Sequence, residues 1–100
     1  MEPGIAVDRG ALAAFCRRND IARLSFYGSV LRADFGPESD VDVLVEFGAG
    51  ARVTLLDIVR MEEELTECLG RKADLRTPAE LSRHFRDEVL AVAVVQYEAA

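Results

Sequence analysis

Tryptophan is absent from this 100-residue chain, histidine occurs once, cysteine twice and proline three times. Each shortage removes a class of protein. The two cysteines, Cys16 and Cys68, have no CxxC partner and no neighbouring histidine, and each falls on an apolar position of a helical pattern, so buried reduced thiols are expected rather than a zinc or redox centre. His84 has no companion from which to build a triad and lies at the margin of a helix's polar side, where a structural or exposed role is expected. Long apolar runs are lacking too: the 50% of hydrophobic residues are dispersed among 30% charged ones, a composition that fits neither a membrane-spanning helix nor a disordered tail. Basic residues are the minority, 12 against 18 acidic, for a formal charge of −6, which repels a phosphate backbone and makes direct nucleic-acid binding unexpected. The first ten residues, MEPGIAVDRG, lack the basic flank and apolar stretch of a secretion signal, so the cytoplasm is the expected location.

What remains is one domain over residues 1–100, a length at which folding removes roughly two-thirds of the chain's surface from water and so supports a single core. Residues 8–19 place Ala11, Leu12, Phe15 and Cys16 at helical spacing, with Asp8 as N-cap and Arg17 and Arg18 at the C-terminal end. Residues 21–27 alternate with period two and stop at Gly28, which reads as a strand. A short helix is expected at 30–34, then a loop broken by Gly36 and Pro37. In the next strand Val41, Val43, Val45 and Phe47 share one face, while Asp40, Asp42, Leu44 and Glu46 share the other. Thr54 and Asp57 cap a helix whose Leu55, Ile58, Met61, Leu65 and Leu69 form an apolar stripe ending at Gly70, with Glu62, Glu63 and Glu64 on its wet side. Residues 72–76 make a third strand with Asp74 opposite Ala73 and Leu75. Thr77, Pro78 and Glu80 open a last helix, and its valine-rich end, VLAVAVVQYEAA, carries more apolar surface than one small core covers. Whether residues 92–97 stay helical is left open by the pattern. The excess surface suits a partner, a second copy of the chain, or a deep groove.

The stretch YGSVLRADFGPESDVDVLVEF sets a Gly-Ser pair before a strand that commits two alternate positions to carboxylates. Asp40 and Asp42 on one face stand about 7 Å apart along the strand. Left alone they repel each other, whereas a hard divalent cation turns the repulsion into ligation. Mg²⁺ takes oxygen ligands, commonly a couple of carboxylates completed by water and substrate phosphate, and two such ions about 4 Å apart clamp an in-line phosphoryl displacement. Asp74 is the natural third ligand if its strand lies beside the second. Gly28 permits close backbone approach, Ser29 offers a hydroxyl, and Arg32 a fork suited to phosphate oxygens.

Gly28-Ser29, ten intervening residues and Asp40-x-Asp42 together resemble the signature of the polymerase-β-like nucleotidyltransferases, and the short chain with SDVDVLVEF resembles their minimal (MNT) branch. The resemblance covers residues 12–97. Many members read Ala-Arg-Gly after Gly-Ser-x, where this chain has Leu31, Arg32 and Ala33. It implies an α+β fold of two layers, a small mixed sheet with helices packed on one face. It further implies two Mg²⁺ ions held by Asp40, Asp42 and Asp74, with ATP as substrate on Gly28 and Ser29. By the same resemblance, the partner is a HEPN-domain ribonuclease toxin, the chain is its antitoxin, and AMP passes from ATP to a toxin tyrosine. Two other readings stand beside this one. The fold could neutralise its partner by binding alone, or it could transfer nucleotides to RNA or to a small hydroxylated compound. The apolar C-terminal segment also allows a homo-oligomer.

Overall fold

The computed structural model describes residues 7–28 and 40–99; the helix expected at 30–34 and the loop after it lie outside the described residues. In chain order the elements are α1 (Arg9–Arg18), β1 (Ile21–Tyr27), β2 (Val41–Phe47), α2 (Leu55–Leu69), β3 (Ala73–Arg76), α3 (Arg83–Val92) and β4 (Val94–Glu98). The strands form one mixed sheet in the order β3-β2-β1-β4. β1 is antiparallel to both neighbours, whereas β2 and β3 run parallel, and α2 supplies the crossover that a parallel pair requires. This is the α+β mixed sheet expected from the sequence.

The caps form where the residue types call for them. Asp8 accepts from the Ala11 N–H at 3.0 Å to start α1. Thr54 and Asp57 exchange bonds of 3.2 and 2.9 Å to start α2, and Gly70, at φ +71°, ends it. Both helices lie on the valine face of β2. Leu12, Phe15 and Cys16 of α1 and Met61, Leu65 and Leu69 of α2 close over Leu24, Phe26, Val41, Val43, Val45 and Leu75. Each buried aliphatic or Phe side chain there contributes about 1.5–3 kcal/mol of transfer free energy. The two helices are tied at their rim by an Arg18–Glu64 pair of 3.1 Å and by Asn19, whose amide donates to Glu64 at 3.2 Å.

The carboxylate face of β2 is covered only in part. Leu44 and Tyr27 pack there with Leu81 and Val89, so α3 and the turn before it form a small second cluster on the face opposite α1 and α2, and the helices are not all on one face as expected. That packing explains why α3 begins later than the Thr77-Pro78 signal suggests. The Thr77–Glu80 capping box does close, with a 3.1 Å bond from the Thr77 N–H, but it encloses only a 3₁₀ turn, Pro78–Glu80. Leu81 is then extended (φ −79°, ψ 140°) and buried, and Ser82 caps the true α-helix by accepting from the Phe85 N–H at 3.3 Å.

Beyond Val92 the chain leaves the helix: Ala93 is extended, and β-branched Val94 and Val95 pair with Phe26 and Ser25 of β1. A register irregularity opposite Leu24 and Ser25 absorbs Gln96, which receives the Arg9 guanidinium at 2.7 Å. The other edge of the sheet is closed by side chains. Thr66 and Glu62 of α2 accept from the outward N–H groups of Ala73 and Leu75 at 3.0 and 2.8 Å, which removes β3 as a template for another strand. Glu62 is thus engaged at the sheet edge rather than standing on the wet side of α2. Among the described residues no helix is long and apolar enough to cross a membrane.

Candidate active site

β1 ends where β2 and β3 begin, and that end of the sheet collects the carboxylates. Register pairs Asp42 with Tyr27 on one side and with Asp74 on the other. Asp42 and Asp74 are therefore direct neighbours across parallel strands, about 4.8 Å apart in the hydrogen-bonding direction. Asp40 stands just before β2 and lines a groove together with Asp74, so the third carboxylate lies at the same end of the sheet, outside the strand itself. Asp40 is exposed, while Asp42 and Asp74 are half-buried.

Gly28 closes the patch from the β1 side in a way its residue type explains. Its φ is +75°, in the left-handed region, and a Cβ built there would overlap Asp42 Oδ2 and sit 3.1 Å from Asp42 Cγ. Glycine at this position is required twice, by the backbone and by the carboxylate it touches. Close approach to a nucleotide is the expected reason for this glycine, and the structure adds a second one. Ser29 and Arg32, the other expected nucleotide contacts, lie outside the described residues.

Tyr27 packs in the second cluster, as its apolar body suggests. Its phenol is pushed up from the usual value, first by burial and then by the charges of Asp42 and Asp74, with Arg76 acting in the opposite direction. The hydroxyl is therefore protonated near neutral pH and stands within electrostatic reach of the carboxylates.

Arg76 is the residue that the sequence reading passed over. It lies two positions after Asp74 on a strand, hence on the same face, a relation the period-two pattern makes available. Its guanidinium pairs with Asp74 Oδ1 at 3.0 Å and lies 3.4 Å from the Leu75 carbonyl. Asp40, Lys72, Asp74 and Arg76 line a groove of about 830 Å³ that continues over the β3 edge to Glu62 and Glu63 of α2. His84 and the Cys16 and Cys68 thiols take no part. His84 is exposed on α3, and burial pushes Cys16 up to about 12.

With Asp74 turned to Arg76, no group of three His, Cys, Asp or Glu side chains among the described residues is poised to hold a metal ion. The donor types nevertheless suit a hard cation: all are carboxylate oxygens, and Mg²⁺ commonly takes only one or two of these beside substrate phosphates. Asp40 and Asp42 fit that need, with Asp74 as the neighbouring third.

Comparison with known proteins gives a consistent picture. The family model described as nucleotidyltransferase domain matches residues 9–95. A protein of Methanocaldococcus jannaschii that carries the name protein adenylyltransferase is 39% identical over 77 residues, which is 77% of this chain and 81% of its own. The solved structure of a minimal nucleotidyltransferase superposes with a TM-score of 0.71 at 35% identity, covering 86% of both chains. A toxin–antitoxin structure with AMP-PNP superposes with a TM-score of 0.74 over 93% of this chain and 75% of that one. At 15% identity it shows shared fold alone.

Proposed function

This chain belongs to the nucleotidyltransferase domain family, and from that premise we propose that it transfers AMP from MgATP to a tyrosine hydroxyl of a partner HEPN-domain toxin, acting as the toxin's antitoxin. The observation that carries the reading is the register match of Asp42 with Asp74, with Asp40 sharing a groove with Asp74 and Gly28 pressed against Asp42. Folding alone gives no reason to gather three carboxylates on one small patch, since like charges there repel.

Asp40 and Asp42 would hold Mg²⁺, with Asp74 completing the set. When bound, the metal supplies charge stabilisation for the α-phosphate and orients the departing pyrophosphate. The chain's own residues do the rest. Gly28 and Ser29, with Arg32, would bind the β- and γ-phosphates, placing the α-phosphorus over the carboxylate patch. A tyrosine acceptor, with an ordinary pKa of about 10, must lose its proton to attack near neutral pH, and the Asp74 carboxylate is the base on this face. The acceptor oxygen forms a bond to the α-phosphorus while the bond to the β-phosphate oxygen breaks, and pyrophosphate leaves with that electron pair. No covalent bond to the protein is needed, so positioning and electrostatics account for the catalysis.

The protein substrate follows from two supports. The M. jannaschii relative carries the name of a protein adenylyltransferase, and solved MntA–HepT toxin–antitoxin complexes share the fold. Phe85, Leu90, Val92 and Val95 are 44–61% exposed on α3 and β4 and offer the apolar docking surface such a partner needs. The test is to incubate the chain with MgATP and its co-purifying partner and weigh the intact partner. A mass gain of one or more AMP groups is expected with the wild-type chain and none with Asp42→Asn. A partner neutralised equally by both proteins, with its mass unchanged, would establish inhibition by binding instead.

A further inference from the structure

We propose that Arg76 is the exchangeable counter-cation of Asp74: it occupies that carboxylate until a divalent cation displaces it, and the released guanidinium then donates to the phosphates of the nucleotide. The inference rests on the reading of Asp40, Asp42 and Asp74 as the metal-holding patch.

Three observations support it. First, Arg76 already holds this carboxylate. Its guanidinium reaches Asp74 Oδ1 at 3.0 Å, so a divalent cation that enters Asp74 meets a like charge at contact distance, which favours displacement of the guanidinium. Second, the exchange is cheap. The Arg76 side chain is 44% exposed and that of Asp74 34%, so the pair is of the solvent-screened kind that contributes little net stability and breaks without strain. Third, the displaced group has somewhere useful to go. Arg76 shares the strand face of Asp74 and a groove with both Asp40 and Asp74, is opposite Leu44 in register, and is folded back to 3.4 Å from the Leu75 carbonyl. It has length in reserve to swing toward a ligand over the patch. A planar guanidinium is suited to phosphate oxygens, which arrive with the metal.

The consequence is coupling. Without nucleotide, a divalent ion must evict Arg76 and leave it with solvent. With nucleotide, the same eviction gives the guanidinium a new anionic partner. Metal and nucleotide then each strengthen the other's binding by the same factor, as linkage requires. Arg76 is in this sense a positioning residue for Asp74 that doubles as a phosphate donor.

The sign pattern tests this. Mn²⁺ is titrated into the nucleotide-free full chain and followed by the electron paramagnetic resonance of the free ion. Binding of a non-hydrolysable ATP analogue is measured separately at saturating Mg²⁺. Arg76→Gln is expected to tighten Mn²⁺ by up to about fivefold, the value of one screened ion pair, and to weaken the analogue by about tenfold, the value of a lost charged hydrogen bond. Arg76→Lys, which keeps the charge, is expected to restore wild-type Mn²⁺ affinity. An Arg76→Gln protein in which both affinities fall, or in which either is unchanged, overturns the proposal, as does Lys behaving like Gln toward Mn²⁺. If the folded wild-type chain binds no Mn²⁺ with or without nucleotide, the metal-site reading itself fails and this inference fails with it. Wild-type binding with no response to Arg76→Gln removes this inference alone.

Discussion

Adding one methyl group at Gly28 should separate what the fold needs from what the site needs. Gly28→Ala places a Cβ on a residue at φ +75°, a conformation that costs an L-residue roughly 1–2 kcal/mol. The same Cβ overlaps Asp42 Oδ2 and comes within 3.1 and 3.4 Å of Asp42 Cγ and Cβ. Because Oδ2 is the far end of a flexible side chain, the clash is relieved by turning the carboxylate, and an off-rotamer torsion of about 30° costs about 0.5–1.5 kcal/mol. The sum is a stability loss of about 1.5–3.5 kcal/mol, which a 100-residue domain tolerates. Turnover is less forgiving: a ligand carboxylate displaced by about 1 Å costs about 100-fold. Gly50→Ala is the matched control, because Gly50 sits at φ +84° with nothing within 4 Å of the added carbon. Urea melts of both variants, beside Mn²⁺ binding and AMP transfer, make the comparison. Both are expected to lose similar backbone stability, while Gly28→Ala alone loses metal affinity and about two orders of magnitude in rate. If Gly28→Ala keeps wild-type Mn²⁺ affinity and rate, Asp42 is not held in its working position by the glycine, and the reasoning is wrong.

Two further predictions concern stability. Thr54→Ala removes the hydroxyl that accepts from the Asp57 N–H at 3.2 Å and should cost about 1 kcal/mol, lowering Tm by about 4–8 °C; an unchanged melting curve would show that tertiary packing alone sets the start of α2. Burial raises the Cys16 thiol from 9.0 to about 12, so the unfolded chain ionises first and the folded state's advantage is intact below pH 9. It is then lost between pH 9 and 12, by as much as about 1.4 kcal/mol per pH unit. Cys68 and Tyr27 are shifted in the same direction and steepen that limb. Denaturation across this range should show Cys16→Ala with a shallower alkaline fall than wild type, and parallel curves would refute the assignment.

The residue pattern alone determined the elements whose signals are local. Asp8, the Thr54–Asp57 box and Gly70 fix helix ends through hydrogen bonds within a few residues, and the valine alternation of β2 fixes which face is buried. The same alternation put Asp42 on the other face, while Asp40 stands just before the strand. What only the tertiary structure decided required knowing the neighbour. The Thr77 box forms as read, yet α3 waits for Ser82 because Leu81 is drawn onto Tyr27 and Leu44. The valine-rich end becomes β4 because β1 has an open edge to pair with, a contact some 70 residues away in the chain that no local propensity contains. Asp74 became a neighbour of Asp42 only through the parallel register of β3. Gly28 acquired its contact with Asp42 through the antiparallel register of β1 and β2, whereas the hold of Arg76 on Asp74 lies within one strand, whose alternation already put the two on one face. Local hydrogen bonds and side-chain alternation are written along the chain, whereas the meeting of charges across strands exists only once the core has set the register.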